Sequence, residues 1–184
     1  MTKPALVALR RAAVSAAAGA LGLGLAAPLA LAAPEAPARG GTAARFGGTV
    51  VYDAAPGVEN DVAVGVFLGE LAVQDETGAA AGPGCVRRND VLVTCGPAAG
   101  VTRITLRTGD LDDRVHVAVP LDAVVDPGAG ADQVTTHGGG DRITLGDGES
   151  GDRVASCGAG ADAVAADPGD TVPASCENRL SPAT

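Results

Sequence analysis

Apolar residues along this chain come in short runs separated by turn-forming residues. Between Gly48 and Leu106 the runs are Thr49-Val-Val-Tyr52, Val62-Ala-Val-Gly-Val-Phe67, Gly69-Glu-Leu-Ala-Val-Gln74, Val91-Leu-Val-Thr-Cys95 and Val101-Thr-Arg-Ile-Thr-Leu106. Gly and Pro fall between them about every ten residues, which predicts short β-strands joined by tight turns. In the last run Val101 is off the Ile104/Leu106 face, so only its second part alternates cleanly.

Beyond residue 108 the pattern repeats. An apolar residue follows an acidic one by two places at Asp113/Val115, Asp122/Val124, Asp132/Val134, Asp141/Ile143, Asp152/Val154, Asp162/Val164 and Asp170/Val172, at intervals of 9, 10, 9, 11, 10 and 8 residues. Near-constant spacing of this kind predicts stacked turns, each unit about six residues of turn and three of strand with one inward apolar side chain. With two units per coil, alternate units share an edge, so Asp132 is expected to stack with Asp152 and Asp141 with Asp162. The expected fold is all-β: a right-handed parallel β-roll or β-solenoid over residues 108–177, preceded by a short-stranded β region over 46–107 and followed by a tail, 178–184. Residues 33–45, broken by Pro and Gly, read as a disordered leader.

The N-terminus has a different character. Lys3, Arg10 and Arg11 precede an Ala, Gly and Leu-rich run that ends in Pro28 and the Ala30-Leu31-Ala32 cleavage pattern. Residues 1–32 therefore read as a cleaved signal peptide, and the product as secreted, with no stable membrane insertion. Export decides how Cys85, Cys95, Cys157 and Cys176 are read: no C-x-x-C pair exists, neither His116 nor His137 stands at ligand spacing from them, and two disulfides are expected. Of three pairings, the nearest-neighbour one closes short loops, Cys85 with Cys95 and Cys157 with Cys176.

The chain has 22 acidic and 13 basic residues, formal charge −9. Cleavage after Ala32 would remove three basic residues and no acid, leaving −12. Nucleic acid would be repelled and is excluded as a partner. The aromatics are Phe46, Tyr52 and Phe67 alone, so a core beyond residue 67 must be thin and built of Val, Ile, Leu and Ala.

Pro127-Gly-Ala-Gly-Ala-Asp-Gln-Val-Thr135 and Cys157-Gly-Ala-Gly-Ala-Asp-Ala-Val-Ala165 carry the periodic unit in its fullest form. It resembles the Gly- and Asp-rich nonapeptide of the RTX, or haemolysin-type, calcium-binding β-roll proteins. The ending, from Asp152 to Glu177, is similar to that of small exported actinobacterial members and supports the Cys157–Cys176 pairing. The resemblance implies calcium held between stacked loops, with Asp132, Asp141, Asp152 and Asp162 as carboxylate ligands and Gly128, Gly130, Gly139, Gly158 and Gly160 shaping the loops. Hard cations take six to eight oxygens, and imperfect loops working outside the cell imply weak binding, Kd on the order of 10⁻⁴ to 10⁻³ M. The chain departs from the pattern at His137, which reads as a solvent-facing substitution, and at the longer loop Gly146–Asp152, whose Asp147 and Glu149 read as solvated. Asp113, Asp122 and Asp170 lack the full Gly loop and read as plain turn formers.

No G-x-S-x-G or H-E-x-x-H occurs, and no aromatic platform accompanies the acids, so the chain reads as a non-enzyme. The expected function is an exported calcium-binding β-roll; the alternative is an extracellular structural or adhesion β-solenoid with a degenerate ion site and no calcium requirement.

Overall fold

The computed structural model describes residues 40–181. The signal-peptide reading of 1–32 and most of the leader reading lie outside them. The described residues are all-β, with a single 3-10 turn at Ala98–Gly100, and form two mixed sheets. In chain order the strands are β1 (Gly41–Phe46), β2 (Thr49–Ala54), β3 (Asp61–Phe67), β4 (Glu70–Asp75), β5 (Ala79–Ala81), β6 (Val86–Arg87), β7 (Leu92–Pro97), β8 (Arg103–Asp110), β9 (Arg114–Val117), β10 (Asp122–Ala129), β11 (Gln133–Thr135), β12 (Arg142–Thr144), β13 (Arg153–Ser156), β14 (Ala163–Ala165) and β15 (Asn178–Leu180).

From β8 to β14 successive strands alternate between the sheets, and each of β8 to β12 pairs in parallel with the strand two places on, while β15 adds to β14 in the same sheet. β2 and β3 join the same ladders, β2 in parallel with β8 and β3 in parallel with β9. Hairpins then close that end: β1 runs antiparallel to β2, β4 to β3, β7 to β4, and β6 to β7. β8 and β10 run eight residues with three buried positions each, whereas β9 and β11 to β14 are short and carry only one or two before the next turn. From one sheet Leu106, Val125, Ile143 and Val164 point inward, from the other Val115, Val134 and Val154, and all belong to one core.

Three sequence expectations need correction. Gly41–Phe46 is a strand, not leader, because its backbone groups find partners on β2 and β5. The tail expected from 178 holds β15, paired in parallel with β14. Asp122/Val124 is out of phase: Val124 is half-buried while Ala123 and Val125 are buried, since the strand's period of two puts one member of each adjacent pair outside. Val101 is buried yet precedes β8.

Of the three aromatics only Tyr52 is in the core, whereas Phe46 and Phe67 are exposed beside hairpin turns. Two disulfides, Cys85–Cys95 and Cys157–Cys176, staple the hairpin region and the final turns. They fit an oxidising, extracellular setting.

Candidate functional site

The turns stack because glycine lets them. Gly160 has φ 150°, and a Cβ built there would lie 1.7 Å from the Gly139 carbonyl oxygen of the turn before it. Gly128 has φ 99°, and its Cβ would lie 2.0 Å from the Gly109 carbonyl. A side chain at either position would force the turns apart. Gly130, Gly139 and Gly158 likewise face the carbonyls of Leu111, Leu121 and His137. The five glycines singled out from the sequence thus lie where backbone oxygens of one turn approach the next.

That close approach aligns the acids in two files. On one edge Asp113 Oδ1 accepts from Asn60 N (2.6 Å), Asp132 Oδ1 from Asp113 N (2.8 Å) and Asp152 Oδ1 from Asp132 N (2.8 Å). Asp170 ends this file, accepting from Asp152 N at 3.2 Å. On the other edge Asp141 Oδ1 accepts from Ala123 N (2.9 Å), Asp162 Oδ1 from Asp141 N (2.8 Å) and Glu177 Oε2 from Asp162 N (3.0 Å). Asp132 with Asp152, and Asp141 with Asp162, are therefore brought together as pairs on opposite edges. Each carboxylate ties its own turn to the previous one.

Asp113, Asp132, Asp141, Asp152 and Asp162 are all at most 2% exposed, and in each Oδ2 is buried without a hydrogen-bond partner. Burial pushes Asp113, Asp132 and Asp152 up to about 6, against the pull of the N–H bonds each accepts. Burial also raises Asp141, while the N–H of Asp162 pulls the exposed Glu177 down.

The plain turn-former reading does not hold for Asp113, which is as buried as the four expected residues and belongs to their file. Its signal was the interval of 19 residues to Asp132, close to the 20 between Asp132 and Asp152. Asp122 instead caps Gly140 N (2.9 Å) from outside, and Ala123 stands at the inward place. Asp147, read as solvated, accepts from Glu149 N (2.7 Å), and His137 is exposed. Asn60 and Glu177 end the files without any repeat motif, and the sequence offered no signal for either.

Among the described residues no three His, Cys, Asp or Glu side chains converge on one point. A hard cation would thus be held by one or two carboxylate oxygens completed by backbone carbonyls. The donor set is compatible with that at the turns of Gly128, Gly130, Gly139, Gly158 and Gly160, where a carbonyl approaches the adjoining turn, but not at Gly148 and Gly151 ahead of Asp152, where none does. The unpartnered carboxylate oxygens lie in file. Among the described residues no helix is long and apolar enough to cross a membrane. Compared with known proteins, the chain matches no family model, no curated protein and no solved structure.

Proposed function

We propose that this is an exported β-roll of the RTX-like kind, in which calcium between stacked Gly/Asp turns stabilises the fold. One observation carries the reading: five buried carboxylates each leave an oxygen without a donor. A buried, half-satisfied anion is costly, and it either takes a proton or takes a cation. Outside a cell, where calcium is plentiful, the cation is available. Asp132 and Asp152 on one edge and Asp141 and Asp162 on the other would hold it, together with turn carbonyls. Calcium would supply the positive charge that the files lack, and the folded state would gain in proportion to ln(1 + [L]/Kd).

The second reading, a secreted scaffold or adhesion module with no calcium requirement, is favoured by a different observation. Each file already closes through backbone N–H donors at 2.6–3.0 Å along its buried acids. Neutral, protonated aspartates would serve that ladder equally well. Thermal melting separates the two. Under the calcium reading, millimolar calcium raises the melting temperature clearly more than magnesium does, and the Asp141→Asn/Asp162→Asn double variant loses part of the gain. If chelator leaves the wild-type melting temperature unchanged, the scaffold reading replaces the calcium one.

A further inference from the structure

The file on the first edge does not stop at the repeats. It passes from Asp113 to Asn60, which precedes β3 and belongs to no Gly-rich turn. Asn60 is 1% exposed and connects two buried carboxylates. Its backbone N–H donates to Asp113 Oδ1 (2.6 Å), and its Nδ2 donates to Asp75 Oδ2 (2.8 Å) and Thr77 Oγ1 (3.2 Å). Asp75 is fully buried and also accepts from the Tyr52 hydroxyl and from Thr77 N and Oγ1 (3.0 and 2.8 Å). These donors satisfy Asp75 while bringing no positive charge.

What they leave over is specific. Asn60 Oδ1 and Asp113 Oδ2 are both buried and both lack a partner, on residues joined directly by the 2.6 Å bond. The Thr108 hydroxyl, which donates to the Pro127 carbonyl at 3.1 Å, lies close to the same carboxyl. A polar cavity of about 230 Å³ reaches Asp113 from the surface, with Glu59, Asp112 and Asp132 in its wall beside Arg114 and Arg153. Neutral and anionic oxygens left without partners are the donor chemistry of a hard cation.

We propose that the junction between the hairpin region and the parallel strands is a cation site in its own right, with Asp113 Oδ2 and Asn60 Oδ1 as its side-chain ligands and calcium as its natural occupant. It continues the first-edge file beyond the Gly/Asp turns, to which Asp113 N remains tied through Asp132 Oδ1. Its role is to join the two parts of the chain at the point where two uncompensated carboxylates meet.

The chain carries its own reporter. Tyr52 is the sole tyrosine, there is no tryptophan, and its hydroxyl shares an acceptor with Asn60 Nδ2. Terbium, added as a luminescent stand-in for calcium, should show emission sensitised by Tyr52 that calcium displaces. Asp113→Asn, which keeps an acceptor for Asn60 N, should cut that emission at least fivefold, whereas Asp162→Asn on the other edge should leave most of it. Absent wild-type emission, or emission unchanged in Asp113→Asn, overturns the proposal. Should Asp113→Asn fail to fold, calcium titration of the wild type by NMR decides: the Asn60 side-chain amide resonances move if the site exists, and their constancy at saturating calcium refutes it. A calcium gain in melting temperature lost in Asp113→Asn but kept in Asp141→Asn/Asp162→Asn supports the junction and removes the repeat edge from the preceding reading. The reverse pattern refutes the junction alone.

Discussion

A buried aspartate of the two files, unlike Asp75, has two oxygens in unlike situations. Oδ1 takes a backbone N–H from the neighbouring turn, and Oδ2 takes nothing from the protein. The pH dependence of stability follows from the raised values of Asp113, Asp132 and Asp152, about 6 in the folded chain. A carboxyl raised above its unfolded value, roughly 4, binds its proton more tightly when folded. Its contribution is full below the unfolded value and is lost as pH rises through about 6. In chelator the melting temperature should therefore fall between pH 4.5 and 7, and Asp132→Asn should flatten that fall, as scanning calorimetry at several pH values will test. A metal-free chain equally stable across this range would contradict protonation of these groups.

Elements here are short because turns, not strands, set the period. Three-residue strands such as β11, β12 and β14 hold only through neighbours on both sides, so the turn that spaces them matters more than any one side chain. Gly160→Ala places a methyl against the Gly139 carbonyl and should cost about 2–4 kcal/mol, measurable by urea denaturation. Gly65, where an added Cβ meets nothing within 4 Å, is the control and should change far less on substitution by Ala. At the far end, β15 has one neighbour, β14, and Cys157–Cys176 ties the turns before it to the stack. Replacing both cysteines by Ser should cost about 2–3 kcal/mol. Hydrogen exchange should show residues 166–180 losing protection first; uniform loss along the chain would mean that the disulfide does not govern this end locally.

Across the whole molecule the hairpins and the parallel strands share one core, with Tyr52, Leu71 and Val93 continuous with Ile104, Ile143 and Val154. Unfolding should be a single transition. Near-ultraviolet dichroism of Tyr52 reports the hairpin end and far-ultraviolet dichroism the whole, so their urea midpoints should coincide; separated midpoints would mean two independent folding units. Much of this was legible in the chain itself. The interval of nine to ten residues, the Gly-Ala-Gly-Ala-Asp turns and the cysteine spacing are local patterns, and local patterns predicted the β class, the stacking of Asp132 on Asp152 and of Asp141 on Asp162, and both disulfides. Asn60 and Glu177 were not legible as members of the files, and Asp113 was marked only by its 19-residue interval to Asp132. Asn60 and Asp113 lie 53 residues apart, and only the parallel pairing of β3 with β9 brings that backbone N–H to that carboxylate. Likewise β1 and β15 became strands only because β2 and β14 supplied edges for their backbone groups. A repeat states its own period, since each turn is decided by residues a few places apart. Where the stack begins, where it ends, and which acids are shut away from water depend on what lies on either side, and only the tertiary structure decided that.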